Sequence, residues 1–209
     1  MMQQRVTTAD GFNSQLQTNY LGHWQLCARL LSLKGEQAVL RQTARFVHVS
    51  SVMHEFAKFD LENLDGSRCW LGGVGFYCFT KLLNIMFSNE LNRRLTHTRM
   101  RSVAVHPGVA NTEFVGHFIP SWLHELVSPG IDLVARSTSD CANSSVWAAA
   151  SPLMHQVGGV YVDNCRVSQP AGIAKDTEAC LALWKRTEAM LDLSLGDTLK
   201  NVAEEDFAA

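Results

Sequence analysis

Hydrophobic positions along the chain follow two rhythms. From Asp10 to Leu31 apolar side chains recur at helical spacing, at Phe12, Leu16, Tyr20, Trp24, Leu26 and Leu30. Thr8 or Asp10 is placed to cap the helix they predict. Phe46-Val47-His48-Val49 is a short, unbroken apolar run ending in Ser50-Ser51, and it predicts a buried strand over 45–50. Residues 53–76 carry the breakers Asp65-Gly66 and Gly72-Gly73-Val74-Gly75 and predict irregular chain. Helical spacing resumes from Phe76 to Leu95 through Leu82, Leu83, Ile85, Met86, Phe87 and Leu91. Arg93 and Arg94 near its end suit the helix dipole. A second strand over 102–106 is stopped by Pro107-Gly108, and a third over 159–163 opens at Gly158-Gly159. Helices are predicted over 138–150 and 175–194, with residues 196–209 a flexible acidic tail.

Strands that alternate with helices, each strand an unbroken apolar run, are the pattern of an α/β fold with a parallel sheet covered on both faces. Composition agrees: 46% of the 209 residues are hydrophobic and 18% charged, an ordinary globular balance. A formal net charge of −2 lacks the basic excess of a nucleic-acid partner, so no nucleic acid is expected. No apolar stretch reaches the ~18–20 residues of a membrane span. No apolar signal core follows Met1-Met2-Gln3-Gln4-Arg5, so the expected location is intracellular. The six cysteines, at 27, 69, 78, 141, 165 and 180, form no C-x-x-C pair and are expected as free, mostly buried thiols. His48 and His54 are expected to be structural or solvent-facing, and no metal site is expected.

The candidate chemistry sits where parallel sheets place ligands, beyond the carboxyl ends of the strands. One strand ends in Ser50-Ser51 and the next in Pro107-Gly108-Val109-Ala110-Asn111-Thr112. Between them lies Tyr77-Cys78-Phe79-Thr80-Lys81, whose tyrosine and lysine share a helix face. A nearby ammonium favours the phenolate and lowers the phenol's pKa from about 10, which would suit Tyr77 to acid/base work. Taken alone, the spacing also fits a surface tyrosine beside a solvated lysine. The ordered combination of Ser-Ser, Y-x-x-x-K and P-G-x-x-x-T is far more specific.

With that combination the chain resembles the short-chain dehydrogenase/reductase family, in its branch like the retinol dehydrogenases and WW domain-containing oxidoreductase. The resemblance covers about residues 5–190. It is carried by Asp10-Gly11-Phe12, Thr18-Asn19-Tyr20-Leu21-Gly22-His23, Val47-His48-Val49-Ser50-Ser51 and Tyr77-Cys78-Phe79-Thr80-Lys81-Leu82-Leu83-Asn84. Phe87-Ser88-Asn89-Glu90-Leu91, His106-Pro107-Gly108-Val109, Val157-Gly158-Gly159-Val160-Tyr161 and Leu183-Trp184 extend it.

The resemblance implies a partial Rossmann-like three-layer fold whose parallel sheet is reduced to about three strands. Residues 1–195 would be the C-terminal part of a single domain. It implies an NAD- or NADP-dependent oxidoreductase that interconverts an apolar alcohol and its carbonyl, of retinoid, steroid or lipid type. Ser51 would hydrogen-bond the substrate oxygen and Tyr77 would exchange the proton. Lys81 would hold the nicotinamide ribose, and Asn19 would position a relay water. Pro107, Gly108 and Thr112 match the loop at the nicotinamide end. Ser50 stands as the alternative to Ser51, and Asn19 as a helix residue that bonds backbone. Phe114, Phe118, Ile119, Trp122 and Leu123 would suit an apolar substrate, or serve as packing. Ser51, Tyr77 and Lys81 are expected together, opening to a cleft.

One departure is large. The family's glycine-rich T-G-x-x-x-G-x-G turn and its N-N-A-G strand end, which belong to the cofactor-binding half, are not in this sequence. The resemblance therefore reads the chain as N-terminally truncated, through an alternative start, a splice product or an incomplete gene model. A second function then stands beside the first: a catalytically silent form that binds, or acts dominant-negatively on, a full-length homologue. The strand over 45–50 would become a sheet edge with apolar surface beside it. The isolated chain is expected to be marginally stable, to aggregate, pair with another copy or need a partner, and to lack affinity for NAD(P)H.

Overall fold

Three short apolar runs become parallel strands of one sheet in the computed structural model, which describes residues 6–33, 44–68, 72–108, 138–196 and 199. They are Arg45–Val49 (β1), Arg101–His106 (β2) and Tyr161–Asp163 (β3). A fourth strand, Arg166–Ser168 (β4), joins antiparallel to β3 and gives the order β1-β2-β3-β4. The register sets Val47 beside Val103, Val49 beside Val105, and Val105 beside Val162. The three expected parallel strands are thus present. The fourth was not foreseen, because its turn, Asn164-Cys165, lacks the usual glycine. Both turn residues nonetheless take left-handed backbone, at φ 50° and 56°, as a two-residue hairpin turn of the right hand demands.

Helices cover both faces. The first runs through an α turn Ser14–Leu16, a π-helical stretch Gln17–Leu21 and an α segment Gly22–Leu31, together α1. Next come Gly72–Arg94 (α2), Thr138–Ala150 (α3) and Thr177–Leu191 (α4). Val103, Val105 and Val162 meet Ala148 of α3 on one face. On the other face Ala104 and Tyr161 join the larger core built from α1, α2 and α4. Alternate β2 side chains therefore enter different cores, and the strand is apolar because it has no solvent side. This is the three-layer, Rossmann-like α/β arrangement.

Three local expectations are corrected. The cap of α1 is Asn13, whose side chain accepts the Gln15 N–H at 2.9 Å, and neither Thr8 nor Asp10 fills that place. Leu26 and Leu30, four residues apart, share an exposed face at 55% and 39% exposure. The buried stripe instead runs through Leu16, Tyr20, Trp24, Cys27, Ala28 and Leu31. Helix α2 begins at Gly72, inside the glycine cluster read as a breaker, and the Gln15 side-chain amide donates to the Gly73 carbonyl at 3.2 Å. Packing on α1 outweighs the poor helix propensity of glycine there.

Trp24, Phe87 and Trp184 join three helices, with Phe87 and Trp184 stacked at 5.7 Å. Arg94 lies over Trp184 at 4.3 Å and pairs with the buried Glu90 at 2.8 Å, so it does more than face a helix dipole. Glu90 also pairs with Arg93. At the start of β1, the Arg45 guanidinium donates to the carbonyls of Ala148, Ala149 and Met154, tying that strand to the end of α3. The described cysteines are free thiols: Cys27, Cys78, Cys141 and Cys180 are buried and Cys165 is half-buried.

The loop into β3 is set by one close approach. A Cβ on Gly158 would stand 2.0 Å from Asn92 Oδ1, which already accepts the Ser102 N–H at 3.1 Å. Gly158→Ala should therefore lower unfolding free energy by about 1–3 kcal/mol, as overpacking does elsewhere. Denaturant melts of the two proteins check this, and equal midpoints would show that Asn92 yields freely.

Candidate active site

The carboxyl end of β1 is fastened to the middle of α2. The Val49 carbonyl accepts from Lys81 Nζ at 3.1 Å and from Asn84 Nδ2 at 3.3 Å. The Ser50 hydroxyl donates to the Lys81 carbonyl at 2.8 Å, and the Ser50 N–H donates across to Val105 at 2.8 Å. These bonds turn the chain so that Ser51 comes beside Tyr77, where its hydroxyl acts to lower the phenol's pKa. Lys81 Nζ lies 5.5 Å from the centre of the Tyr77 ring. Ser51, Tyr77 and Lys81 are thus brought together, while the Ser50 hydroxyl is committed to backbone. The group opens little: Tyr77 and Ser51 are 6% and 8% exposed, and Lys81 is half-buried.

Asn19 reaches the same turn of α2 from across the core. It is half-buried, and its Nδ2 donates to Thr80 Oγ1 at 3.1 Å, whose hydroxyl in turn donates to the Tyr77 carbonyl at 2.8 Å. It lies in the π-helical stretch of α1, a kind of bulge that collects at functional positions. No periodicity signal in the sequence marked that bulge. Pro107 and Gly108 follow β2 directly, both half-buried, and Gly108 has φ 104°, a conformation that a side chain would strain. Thr112 lies outside the described residues, as do Phe114, Phe118, Ile119, Trp122 and Leu123.

Electrostatics correct one expectation. Burial, opposed by the Ser51 hydrogen bond, holds the Tyr77 phenol above its ordinary value of 10.0. The neighbouring Lys81 does not reverse this. Burial instead moves Lys81 itself, from 10.5 down to about 8. Burial also drives His48, packed edge-on against Phe87 at 4.9 Å, down to about 3, with His23 adding repulsion.

Two further histidines hold the serine turn. The Val52 N–H donates to His106 Nδ1 at 3.3 Å, and His54 Nδ1 lies 2.7 Å from the Ser51 carbonyl. His54 is fully buried, so of the two environments open to it in the sequence the structural one is realised. Neither histidine was singled out for the site. The available signal was the spacing Ser-x-x-His, which one 3₁₀ turn, Val52–Phe56, closes into contact. Among the described residues no cluster of three or more His, Cys, Asp or Glu is placed to hold a metal ion. Among the same residues no helix is long and apolar enough to cross a membrane.

A largely parallel α/β sheet with a hydroxyl, a phenol and an ammonium gathered at its carboxyl edge is the arrangement in which open α/β folds place their ligands. The chain's likenesses fall in one such family, although no family model matches it. It is 34% identical to retinol dehydrogenase 12 of Bos taurus over 179 residues, covering 85% of this chain and 54% of that protein. It is 32% identical to the WW domain-containing oxidoreductase of Homo sapiens over 196 residues, covering 90% of this chain and 46% of that protein. Human dehydrogenase/reductase SDR family member 13 is 30% identical over 191 residues, covering 91% of this chain and 50% of that protein. A solved structure of an uncharacterized protein from Mycobacterium Paratuberculosis superposes with a TM-score of 0.68 at 26% identity, covering 93% of this chain and 64% of that one. The chain belongs to the short-chain dehydrogenase/reductase family. It spans about half the length of the curated relatives it matches.

The lowered Lys81 pKa gives a signed consequence. Between about 8 and 10.5 the unfolded chain holds the lysine proton more tightly than the folded chain. Below that window the buried charge costs stability in full, and the cost is relieved as pH rises through it. Lys81→Met leaves the exposed Val49 carbonyl to Asn84 and should therefore stabilise the chain by about 1 kcal/mol near neutral pH, with the gain shrinking as the window is crossed. Unfolding free energies measured against pH test this. A loss of stability near neutrality, or a pH-independent gap, would contradict it.

Proposed function

We propose that this chain carries the catalytic part of an NAD(P)-dependent oxidoreductase that interconverts an apolar alcohol and its carbonyl compound. The observation that supports it most is Lys81 Nζ 5.5 Å from the centre of the Tyr77 ring, with the Ser51 hydroxyl acting on the same phenol. Relatives named as retinol dehydrogenases and oxidoreductases support the same class and an apolar substrate of retinoid, steroid or lipid kind. In this reading Ser51 holds the substrate oxygen by a hydrogen bond. Tyr77 gives its phenolic proton to that oxygen in reduction and takes it back in oxidation. In the same reading Asn19, bonded to Thr80 beside Tyr77, would position the water that returns the proton.

The residues present fit the nicotinamide-ribose end of such a cofactor. Lys81 offers a cation with donors to spare at the edge of a parallel sheet, and Gly108 keeps the backbone after β2 free of a side chain. Pro107, Gly108 and Thr112 would line that end, with Tyr77 and Lys81 beside it. When bound, the cofactor supplies or accepts the hydride. The sequence offers no glycine-rich turn for a pyrophosphate, so no residue is assigned to that part, and the cofactor is either NAD or NADP.

Tyr77→Phe tests the reading in a form of the protein that also carries a glycine-rich cofactor turn. Turnover of an apolar aldehyde with NADPH or NADH should fall by at least about 100-fold, because only the proton donor is lost. Cofactor affinity, measured by fluorescence titration, should change less than about twofold. Undiminished turnover would remove Tyr77 from the chemistry.

A further inference from the structure

His54 makes two different hydrogen bonds with its two ring nitrogens. Nδ1 stands 2.7 Å from the Ser51 carbonyl oxygen, which can only accept. Nε2 stands 3.1 Å from the Ala171 N–H, which can only donate. Both bonds form only when the imidazole is neutral with its proton on Nδ1. The ring is fully buried and packs edge-on against Tyr161 of β3 at 4.9 Å, so it cannot turn over without losing both bonds. The His54 backbone N–H also donates to the Ser51 carbonyl, at 3.0 Å. Two donors from one residue therefore converge on that carbonyl.

The geometry around Ser51 leaves its hydroxyl little else to fix it. Its Oγ accepts the Met53 N–H at 3.2 Å, which ties it to its own turn, and its neighbour Ser50 is spent on Lys81. The direction of the Ser51 side chain thus follows its backbone, and that backbone is held by His54 on one side and by His106 at Val52 on the other. Through Nε2, His54 carries this hold to Ala171, beside the turn Gly172–Lys175 that follows β4.

We infer that His54 is a positioning residue: its Nδ1–H bond sets the Ser51 hydroxyl against Tyr77 and couples that pair to the segment after β4. The inference rests on the proposed function only for its effect on turnover; the placement of Ser51 against Tyr77 is independent of it. The two bonds can be cut one at a time. An asparagine amide stands in for Nδ1 and keeps the Ser51 link, whereas a glutamine amide stands in for Nε2 and keeps the Ala171 link. Phenylalanine fills the space and keeps neither.

The experiment uses His54→Asn, His54→Gln and His54→Phe, each followed by its melting temperature and by the ¹³Cζ resonance of Tyr77 in tyrosine-labelled full chain. Turnover is read in the form carrying a cofactor turn. His54→Asn should leave the Tyr77 resonance in place and kcat within about threefold of the parent. His54→Gln and His54→Phe should shift the resonance and lower kcat at least about tenfold with KM little changed, the pattern of a misplaced reacting group. If Asn and Gln act alike, with resonance and kcat following only melting temperature, His54 is structural packing and the inference is overturned. If no form turns over while the resonance follows the expected order, the proposed activity fails and the positioning role stands.

Discussion

The site depends on how one backbone carbonyl is satisfied. Val49 ends a short strand at the border of the described sheet, where its C=O meets the side chains of α2 instead of another strand. Lys81 and Asn84 both donate to it, and Ser50 returns a bond to the Lys81 carbonyl. Val49 is 40% exposed, so these bonds contribute direction more than stability: they fix the strand end against α2. It also fixes what comes next. With Ser50 pinned, the chain must present Ser51 toward the helical turn that carries Tyr77.

Burial sets the chemistry of the groups so gathered. The same enclosure that orders Lys81 lowers its pKa to about 8, and it keeps the Tyr77 phenol protonated. The donor state of the phenol is thereby favoured in the protein by itself, while its ionised state requires more positive charge nearby than Lys81 supplies. The histidines around the site obey the same rule. His48 and His54 are held neutral by burial, which leaves His54 able to donate with one nitrogen and accept with the other.

Much of this was legible in the sequence because its signals were local. Val103–His106 is an apolar run buried on both faces, and Phe46–Val49 reads the same way in the sequence, but in the fold it is mostly half-buried with Val49 40% exposed. The four-residue spacing of Tyr77 and Lys81 survives in any helix, and the serine at the strand end needs only the strand. What escaped was set by tertiary partners. The glycines before Phe76 are helical because α1 packs on them, and Leu26 and Leu30 are exposed because the buried stripe passes beside them. The hairpin at Asn164-Cys165 uses a residue that rarely adopts its conformation. His106 looks ordinary in the sequence because its partner, the Val52 N–H, is distant along the chain, and for His54 the spacing Ser-x-x-His marks only one of its two bonds.

The central claim is that the β1–α2 junction sets the Ser51 hydroxyl beside the Tyr77 phenol, so that the two groups are energetically coupled. A double-mutant cycle with Ser51→Ala, Tyr77→Phe and the double variant, read by equilibrium unfolding of the full chain, measures that coupling. The account predicts about 0.5–3 kcal/mol of interaction, the coupling of residues that act on one another. Strictly additive single effects would contradict it, and would mean that the two hydroxyls lie near one another without acting on each other.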